Sequence, residues 1–241
     1  MAQPVFASGF LLRAVPHGDA DLVTTWLTRE LGKLTAFARS ARGSKKRFAG
    51  ALSTMTLARL ELAPTPGDMW RLATAEVEQS FVHLGGDLTA VAHAAYACEL
   101  AQELTVAGHA EPAIFEDLLA MHAALAAHTL TPVGLRWFEL RMLDANGSLP
   151  DRADLMAMAD MTVAAAQAGG QGAPGADLDH LLASLLDATS LAQASTLVAS
   201  PPDVTRLREV LGALIARVVN KPLQSVIFLQ KMNAGLRRSR A

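Results

Sequence analysis

The sequence predicts a small β-barrel followed by an all-α domain. In residues 1–80, short runs rich in Val, Thr, Leu and aromatic side chains are separated by Pro, Gly and Asp, a pattern typical of strands and turns. After residue 83 apolar side chains recur instead at three- and four-residue intervals, which is the period of a helix. We therefore expect a first domain over residues 1–82 and a helical domain over residues 83–241.

Five strands are predicted in the first domain, at residues 10–15, 22–28, 33–39, 53–62 and 70–79. The third of them, KLTAFAR, alternates, so that Lys33, Phe37 and Arg39 share one face. Five short strands in so short a segment fit a closed barrel, and the five-stranded OB-fold is the commonest binding version of it. The predicted fold class is thus β + α, with an N-terminal OB-fold barrel and an all-α domain.

Helices are predicted throughout the second domain. The predicted segments are 87–106, 111–128, 131–147, 151–167, two helices within 177–198, then 201–220 and 223–236. Pro at first-turn positions and Gly or Asn-Gly at the ends mark several of these boundaries. The Gly-rich segment GGQGAPG at 169–175 is interpreted as a flexible loop. Met156, Met158 and Met161 are interpreted as core residues that fill gaps.

The composition excludes several classes of protein. With 51% hydrophobic and 18% charged residues, the chain can form a packed core and is not a disordered segment. The single cysteine, Cys98, excludes an internal disulfide and a cysteine-based metal site, and its helical surroundings indicate a small buried side chain. No apolar run reaches the about 18 residues of a membrane span, and no secretory signal is recognised. We expect a cytoplasmic protein without membrane contact.

No catalytic motif is found in the sequence. P-loop, nucleophile-elbow and H-E-x-x-H patterns are absent, and the seven histidines are dispersed and expected at or near the surface. His17, Asp19 and Asp21 could hold a cation, but a turn that uses Asp for local hydrogen bonds explains these residues more simply. We therefore expect no enzymatic activity, no cofactor and no metal site.

Charge is distributed unevenly along the chain, although the formal net charge is only −2. Residues 1–80 contain ten Lys and Arg against seven Asp and Glu, residues 81–205 three against fifteen, and residues 206–241 eight against one. Within the first domain, the segment LGKLTAFARSARGSKKRF (31–48) holds six cations and no acid. One-sided charge of this kind is typical of surfaces that bind polyanions, whereas solubility alone does not require it.

This basic segment predicts a nucleic-acid interface. Two cations share a strand face with Phe37, and four more line a loop that Gly43 and Ser44 make mobile. Cations can follow the phosphates of a single strand while an aromatic ring stacks on a base. A solvated loop is the alternative for the cations, and core packing is the alternative for the ring. The candidate nucleic-acid-binding residues are Lys33, Phe37, Arg39, Arg42, Lys45, Lys46 and Arg47.

Three segments together resemble a known family. GFLLRAVPHGDADLVTTWLTRELGKLTAFARSARGSKKRFAGALSTMTLARLEL (9–62) resembles the N-terminal domain of the RecO recombination mediators of bacteria. LRWFELRML (135–143) is similar to the family's helix of the form L-R-x-F-E-L-x-L-L, and NKPLQSVIFL (220–229) to its closing segment. The three segments occur in the family's order and spread over nearly the whole chain.

The resemblance implies an OB-fold joined to a helical domain, and a non-enzymatic role in DNA repair and recombination. Members of the family bind single- and double-stranded DNA, anneal complementary strands and help load RecA onto strands coated by single-stranded-DNA-binding protein. The implied partners are DNA, RecR and, in many bacteria, RecF, with RecA contacted indirectly. Lys33, Arg39, Arg42, Lys45 and Arg47 match the basic positions expected to face DNA.

Two further points follow from the resemblance. Arg136 matches the basic position of a helix that the family uses near its groove for the C-terminal tail of single-stranded-DNA-binding protein. Many relatives also carry four zinc-binding cysteines just after that helix, whereas residues 146–180 of this chain contain no cysteine. A structural zinc is therefore not expected at this place.

An alternative function fits the same sequence. The acidic middle of the chain could dock a basic partner, and the protein would then be a protein-interaction adaptor with little intrinsic DNA affinity. The basic loop would in that case serve solubility or contact an acidic tail. An enzyme in the helical domain is a third possibility, but the sequence offers no candidate residues for one.

Overall fold

The computed structural model describes residues 3–44, 46–81, 86–168 and 177–238. The chain forms two compact units, the first comprising Met1–Ala126 with Gln224–Ala241 and the second Ala127–Leu223. The barrel and three helices lie in the first unit, and five helices lie in the second. The division into domains at residues 82 and 83 stays a prediction.

Five strands close into a barrel in the first unit. They are β1 (Val5–His17), β2 (Asp21–Thr28), β3 (Gly32–Ala38), β4 (Thr56–Ala63) and β5 (Trp70–Ser80). The order around the barrel is β1-β2-β3-β5-β4, with β4 pairing back to β1, and the β3–β5 pair is the parallel one. The predicted five-stranded barrel is confirmed.

Period-two alternation places the barrel core. In β3 the residues Leu34, Ala36 and Ala38 are buried while those between them are half-exposed, as the sequence predicted. Trp26 is fully buried among them and donates from Nε1 to the Thr24 hydroxyl at 2.8 Å. That hydroxyl in turn donates to the Ala36 carbonyl oxygen of β3 at 2.9 Å, so both of these buried polar side chains have partners.

Eight helices are formed by the described residues, and each matches a predicted segment. They are α1 (Leu88–Leu104), α2 (Pro112–Ala126), α3 (Pro132–Ala145), α4 (Arg152–Ala168), α5 (Leu178–Asp187), α6 (Leu191–Thr196), α7 (Pro201–Val219) and α8 (Gln224–Arg238). Side-chain caps explain several starts, because Asp87, Thr131 and Ser200 each accept a hydrogen bond from an amide of the first turn. The Gly-rich segment 169–175 lies outside the described residues.

The helices α1 and α2 cover part of the barrel's outer surface. Phe10 of β1 is fully buried beneath them, with its ring centroid 5.8 Å from that of Phe115 and 4.7 Å from that of His122. The loop between α1 and α2 touches the start of β3 so closely that a Cβ on Gly32 would lie 1.9 Å from the His109 carbonyl oxygen. Gly32 has φ +68°, so glycine is required there on both counts.

The last helix is fixed to the first unit through one carboxylate. Glu99 of α1 accepts hydrogen bonds from the backbone amides of Gln224 and Ser225, at 2.9 and 2.8 Å, and from the Ser225 hydroxyl at 2.5 Å. These amides belong to the first turn of α8, where intrahelical partners are missing. An acid supplied from α1 therefore caps α8.

Two expectations for single side chains are wrong. Met161 is 66% exposed, and Met156 and Met158 are only half-buried, because α4 buries Leu155 and Ala159 instead. At about 100° per residue, Met156 and Met158 flank that buried stripe on its two sides, and Met161 lies opposite it. His122 was expected at or near the surface but is fully buried. Cys98 is buried as predicted, and burial raises the pKa of its thiol to about 12. No helix within the described ranges is long and apolar enough to cross a membrane.

Candidate nucleic-acid interface

The outer surface of the barrel has a covered end and an open end. At the covered end Phe10, Leu27 and Lys33 pair in register across β1, β2 and β3, and the two apolar side chains are fully buried under helices. At the open end Val15, Val23, Phe37 and Arg71 pair in register across β1, β2, β3 and β5.

Lys33 lies at the covered end and is already bonded. Its ammonium donates to the backbone carbonyl oxygens of Gln102, at 2.5 Å, and of Thr105. Both carbonyls belong to the C-terminal end of α1, where a cation is stabilised by the helix dipole. The role of Lys33 as a DNA contact stays a prediction, and its placement separates it from the other candidate cations.

Phe37 lies on the outer face of β3, at the open end of the barrel. Its side chain is half-buried, and its ring meets that of His17 almost perpendicularly, with centroids 5.5 Å apart. Core packing inside the barrel, which the sequence left open, is therefore excluded for this ring. Stacking of Phe37 on a nucleobase stays a prediction.

Two arginines that sequence patterns did not indicate lie on the same open end. Arg71 of β5 is exposed and pairs in register with Phe37. Arg13 of β1 is exposed in the adjacent row, in register with Thr25 and, beyond it, Thr35. Each is the only Lys or Arg of its strand, so no local cluster of charge marks it, and strand pairing alone brings it to this surface. A prediction of which strands pair, and in which register, would have indicated both residues.

The basic loop between β3 and β4 begins against the turn that joins β1 to β2. Asp21 accepts a hydrogen bond from the Ser40 amide at 2.6 Å, and Arg42 donates from Nη1 to the Asp19 carbonyl oxygen at 3.0 Å. A 3₁₀ turn follows at Ala41–Gly43. The acidic turn that the sequence singled out therefore holds the start of the basic loop.

The middle of the loop exposes its cations. Arg39, Arg42, Lys46 and Arg47 are all exposed, whereas Lys45 lies outside the described residues. The Arg47 guanidinium donates to the Arg39 carbonyl oxygen at 2.7 Å and lies 5.0 Å from the ring centroid of the buried Phe48. This contact orders the loop and leaves its charges on the surface.

The end of the loop is held by two buried side chains. His122 Nε2 and Cys98 Sγ lie 3.3 and 3.6 Å from the Thr54 carbonyl oxygen, and His122 Nδ1 lies 2.9 Å from that of Leu118. Burial lowers the pKa of His122, because the charged imidazolium is poorly solvated there. The histidine is therefore a buried structural group beneath the loop.

Arg136 lies in the second unit, on α3. Its guanidinium pairs with Glu139 at 2.9 Å, and the two side chains are only 7% and 3% exposed. Among the described residues, no hydrogen-bond acceptor contacts Arg136 Nε. The neighbouring Trp137 is fixed by a hydrogen bond from Nε1 to the Ala188 carbonyl oxygen at 2.9 Å. Binding of a partner tail at Arg136 stays a prediction, and the guanidinium lies beneath the surface.

Two family models match this chain, and both describe the same family of proteins. Residues 1–81 match the family model described as recombination protein O N terminal, and residues 85–155 match the model described as recombination protein O C terminal. Together these matches cover more than half of the chain.

Curated proteins similar to this chain carry the name of the same family. The chain is 44% identical over 144 residues to a DNA repair protein RecO of Anaeromyxobacter sp. (strain K), which is 59% of this chain and 57% of the relative. It is 40% identical over 140 residues to that of Myxococcus xanthus (strain DK1622), covering 58% and 57%. It is 30% identical over 141 residues to that of Dehalococcoides mccartyi (strain CBDB1), covering 58% and 55%. The chain thus spans little more than half the length of these relatives. The family models and the curated relatives agree, and the chain belongs to the RecO family, whose relatives here are named DNA repair proteins.

Proposed function

We propose that this chain is a non-enzymatic DNA repair and recombination mediator that binds single- and double-stranded DNA and anneals complementary strands. In this role it helps to load RecA onto strands coated by single-stranded-DNA-binding protein. The observation that supports the proposal is the exposed cationic surface around Phe37 at the open end of the barrel. Its described cations are Arg13, Arg39, Arg42, Lys46, Arg47 and Arg71.

Charge neutralisation accounts for the annealing step. Two complementary strands repel each other through their phosphates, and Lys and Arg that replace the counterions reduce that repulsion. Contacts to phosphates position a strand without reading its sequence. A surface of arginines and lysines around one aromatic ring therefore suits strands of any sequence.

The partners are proposed on family grounds. They are RecR, in many bacteria RecF, and the C-terminal tail of single-stranded-DNA-binding protein, with Arg136 as the residue proposed to bind the tail. An arginine beside a hydrophobic pocket can pair with a terminal carboxylate. We propose residues 1–82 as the DNA-binding domain, residues 83–241 as the helical domain, and the cytoplasm as the location.

A salt titration tests DNA binding directly. Fluorescence anisotropy of a labelled single-stranded oligonucleotide would be measured with the full chain at several salt concentrations. Six phosphate contacts predict a slope of log affinity against log salt of about −4, from about −0.7 for each contact on a single strand. Negligible binding at low salt would contradict the proposal and favour the protein-interaction adaptor.

Paired charge removals locate the surface. Arg39→Gln combined with Lys46→Gln should leave four phosphate contacts, which makes the slope shallower, at about −2.8, and should slow annealing as well. Arg59→Gln is the matched control, because Arg59 is also exposed on a barrel strand but pairs with Glu78 at 3.8 Å on another part of the surface. An unchanged annealing rate in the double variant, with its fold intact, would move DNA binding away from this loop.

A further inference from the structure

Arg71 and Phe37 are neighbours on the outer face of the barrel. They pair in register across the parallel β3–β5 pair, and adjacent strands lie about 4.8 Å apart. The Arg71 guanidinium is exposed, and within the described part of the chain it forms no ion pair with an acid. A free cation therefore stands directly beside an outward-facing aromatic ring.

The ring of Phe37 is restrained before any ligand arrives. His17 contacts it perpendicularly, with an interplanar angle of 84°, and Val23 lies beside it in register on β2. Val15, which is 38% exposed, continues the apolar row onto β1. Because the ring is already held by these neighbours, little side-chain entropy remains to be lost on stacking.

The pairing of a flat apolar ring with a cation matches the chemistry of one nucleotide. A nucleotide presents a base with a π-face and a phosphate within one residue of the polymer. In a duplex the base faces are covered by the stacked neighbours, whereas a single strand can turn an unpaired base onto an aromatic side chain. The ring is therefore selective for unpaired bases, while cations alone accept both forms.

We propose that Phe37 and Arg71 form a subsite for one unpaired nucleotide, in which the base stacks on the Phe37 ring and its phosphate pairs with the Arg71 guanidinium. This inference rests on the proposed function, since it assumes that the open end of the barrel binds DNA. It adds a residue, Arg71, and a preference, for single strands over duplex. The cations of the loop then hold the phosphates on either side.

Single substitutions with matched controls test the subsite. Phe37→Leu should weaken binding of a single strand about 5-fold or more, the loss expected for one stacked base, and change duplex binding less than 2-fold. Phe6→Leu is the control, because Phe6 is also outward-facing, is 52% exposed and lies beside an arginine, Arg59, at 5.6 Å. Arg71→Gln should reduce the magnitude of the salt slope by about 0.7, and Arg59→Gln should not.

A double-mutant cycle tests whether the two side chains hold the same nucleotide. If they do, the loss caused by Arg71→Gln should be smaller in the Phe37→Leu background than in the wild type, whereas Phe37→Leu and Arg59→Gln should be additive. An oligonucleotide with 2-aminopurine at one position adds a direct readout, since its fluorescence responds to stacking and should respond less with Phe37→Leu.

The outcomes separate the subsite from the proposed function. Steep, salt-dependent binding by the wild type with equal losses for Phe37→Leu and Phe6→Leu would overturn the subsite and leave the proposed function standing. Additive losses for Phe37→Leu and Arg71→Gln would also overturn it. An absence of DNA binding by the wild type at low salt would overturn both. Circular dichroism of each variant controls for folding.

Discussion

Replacing Lys33 with Met distinguishes a structural role for this cation from a DNA contact. Its ammonium donates to the carbonyl oxygens of Gln102 and Thr105 at the end of α1. Hydrogen bonds to charged groups contribute about 1.5–3 kcal/mol each, and a cation at a helix C-terminus about 0.3–1 kcal/mol. Because Lys33 is only partly buried, hydration of the ammonium offsets part of the hydrogen-bond contribution and part of the helix-dipole contribution. We expect a loss of about 2–3 kcal/mol in the free energy of unfolding.

Two assays on the same variants make the distinction. In a chain of this size, that loss lowers Tm by about 4–12 °C in a thermal scan followed by circular dichroism. The salt slope of single-strand binding should not change. Arg39→Met is the matched control, since its exposed side chain should reduce the slope by about 0.7 and leave stability within about 0.5 kcal/mol. An unchanged Tm with a reduced slope for Lys33→Met would refute the reasoning and place the ammonium on phosphate.

Three other perturbations have defined outcomes. Gly32→Ala should lower the free energy of unfolding, measured by urea titration, by about 3 kcal/mol or more, because φ is positive and the new Cβ would lie 1.9 Å from a backbone oxygen. Gly43→Ala is the control: its Cβ would have no atom within 4 Å, so its stability should hardly change. Glu99→Gln should weaken the cap of α8 by about 1–2 kcal/mol and speed hydrogen exchange at the Ser225 amide. Relative to Cys98→Ala, the wild type should lose about 1.4 kcal/mol of stability per pH unit between pH 9 and 12, because the native thiol ionises only near 12 while the unfolded thiol ionises near its ordinary value of 9.0.

The barrel and the helices could be predicted because their signals are local. Period-two alternation in β3 and side-chain caps such as Asp87 and Thr131 are visible within a few residues of sequence. The starts of α1, α3, α6 and α7 carry such local caps, whereas α8 is capped by Glu99 of α1, about 125 residues earlier in the chain. The burial of the Met residues of α4 could not be predicted in the same way, because hydrophobicity alone does not show which side of a helix packs against a neighbour.

The candidate site was predicted only in part because its contacts are distant in sequence. Phe37 and Arg71 are joined by a parallel strand pair, and the carbonyl partners of Lys33 lie 69 and 72 residues away. His122 is similarly fixed beneath a loop residue, Thr54, 68 residues away. Nothing near these residues in the sequence indicates such partners, so a cluster of like charge could be found but not divided into bonded and exposed cations.

Alternation along a strand distinguishes the inside of a barrel from the outside, but it does not distinguish open from covered surface. Lys33 and Phe37 both point outward from β3, and about 13 Å of strand separates them. Over that distance β3 extends out from under α1, so Lys33 donates hydrogen bonds to the end of the helix while the Phe37 ring is partly exposed. Phosphate contacts are therefore expected only after the end of β3, from Arg39 onward, and the cations that complete the surface, Arg13 and Arg71, come from the strands β1 and β5.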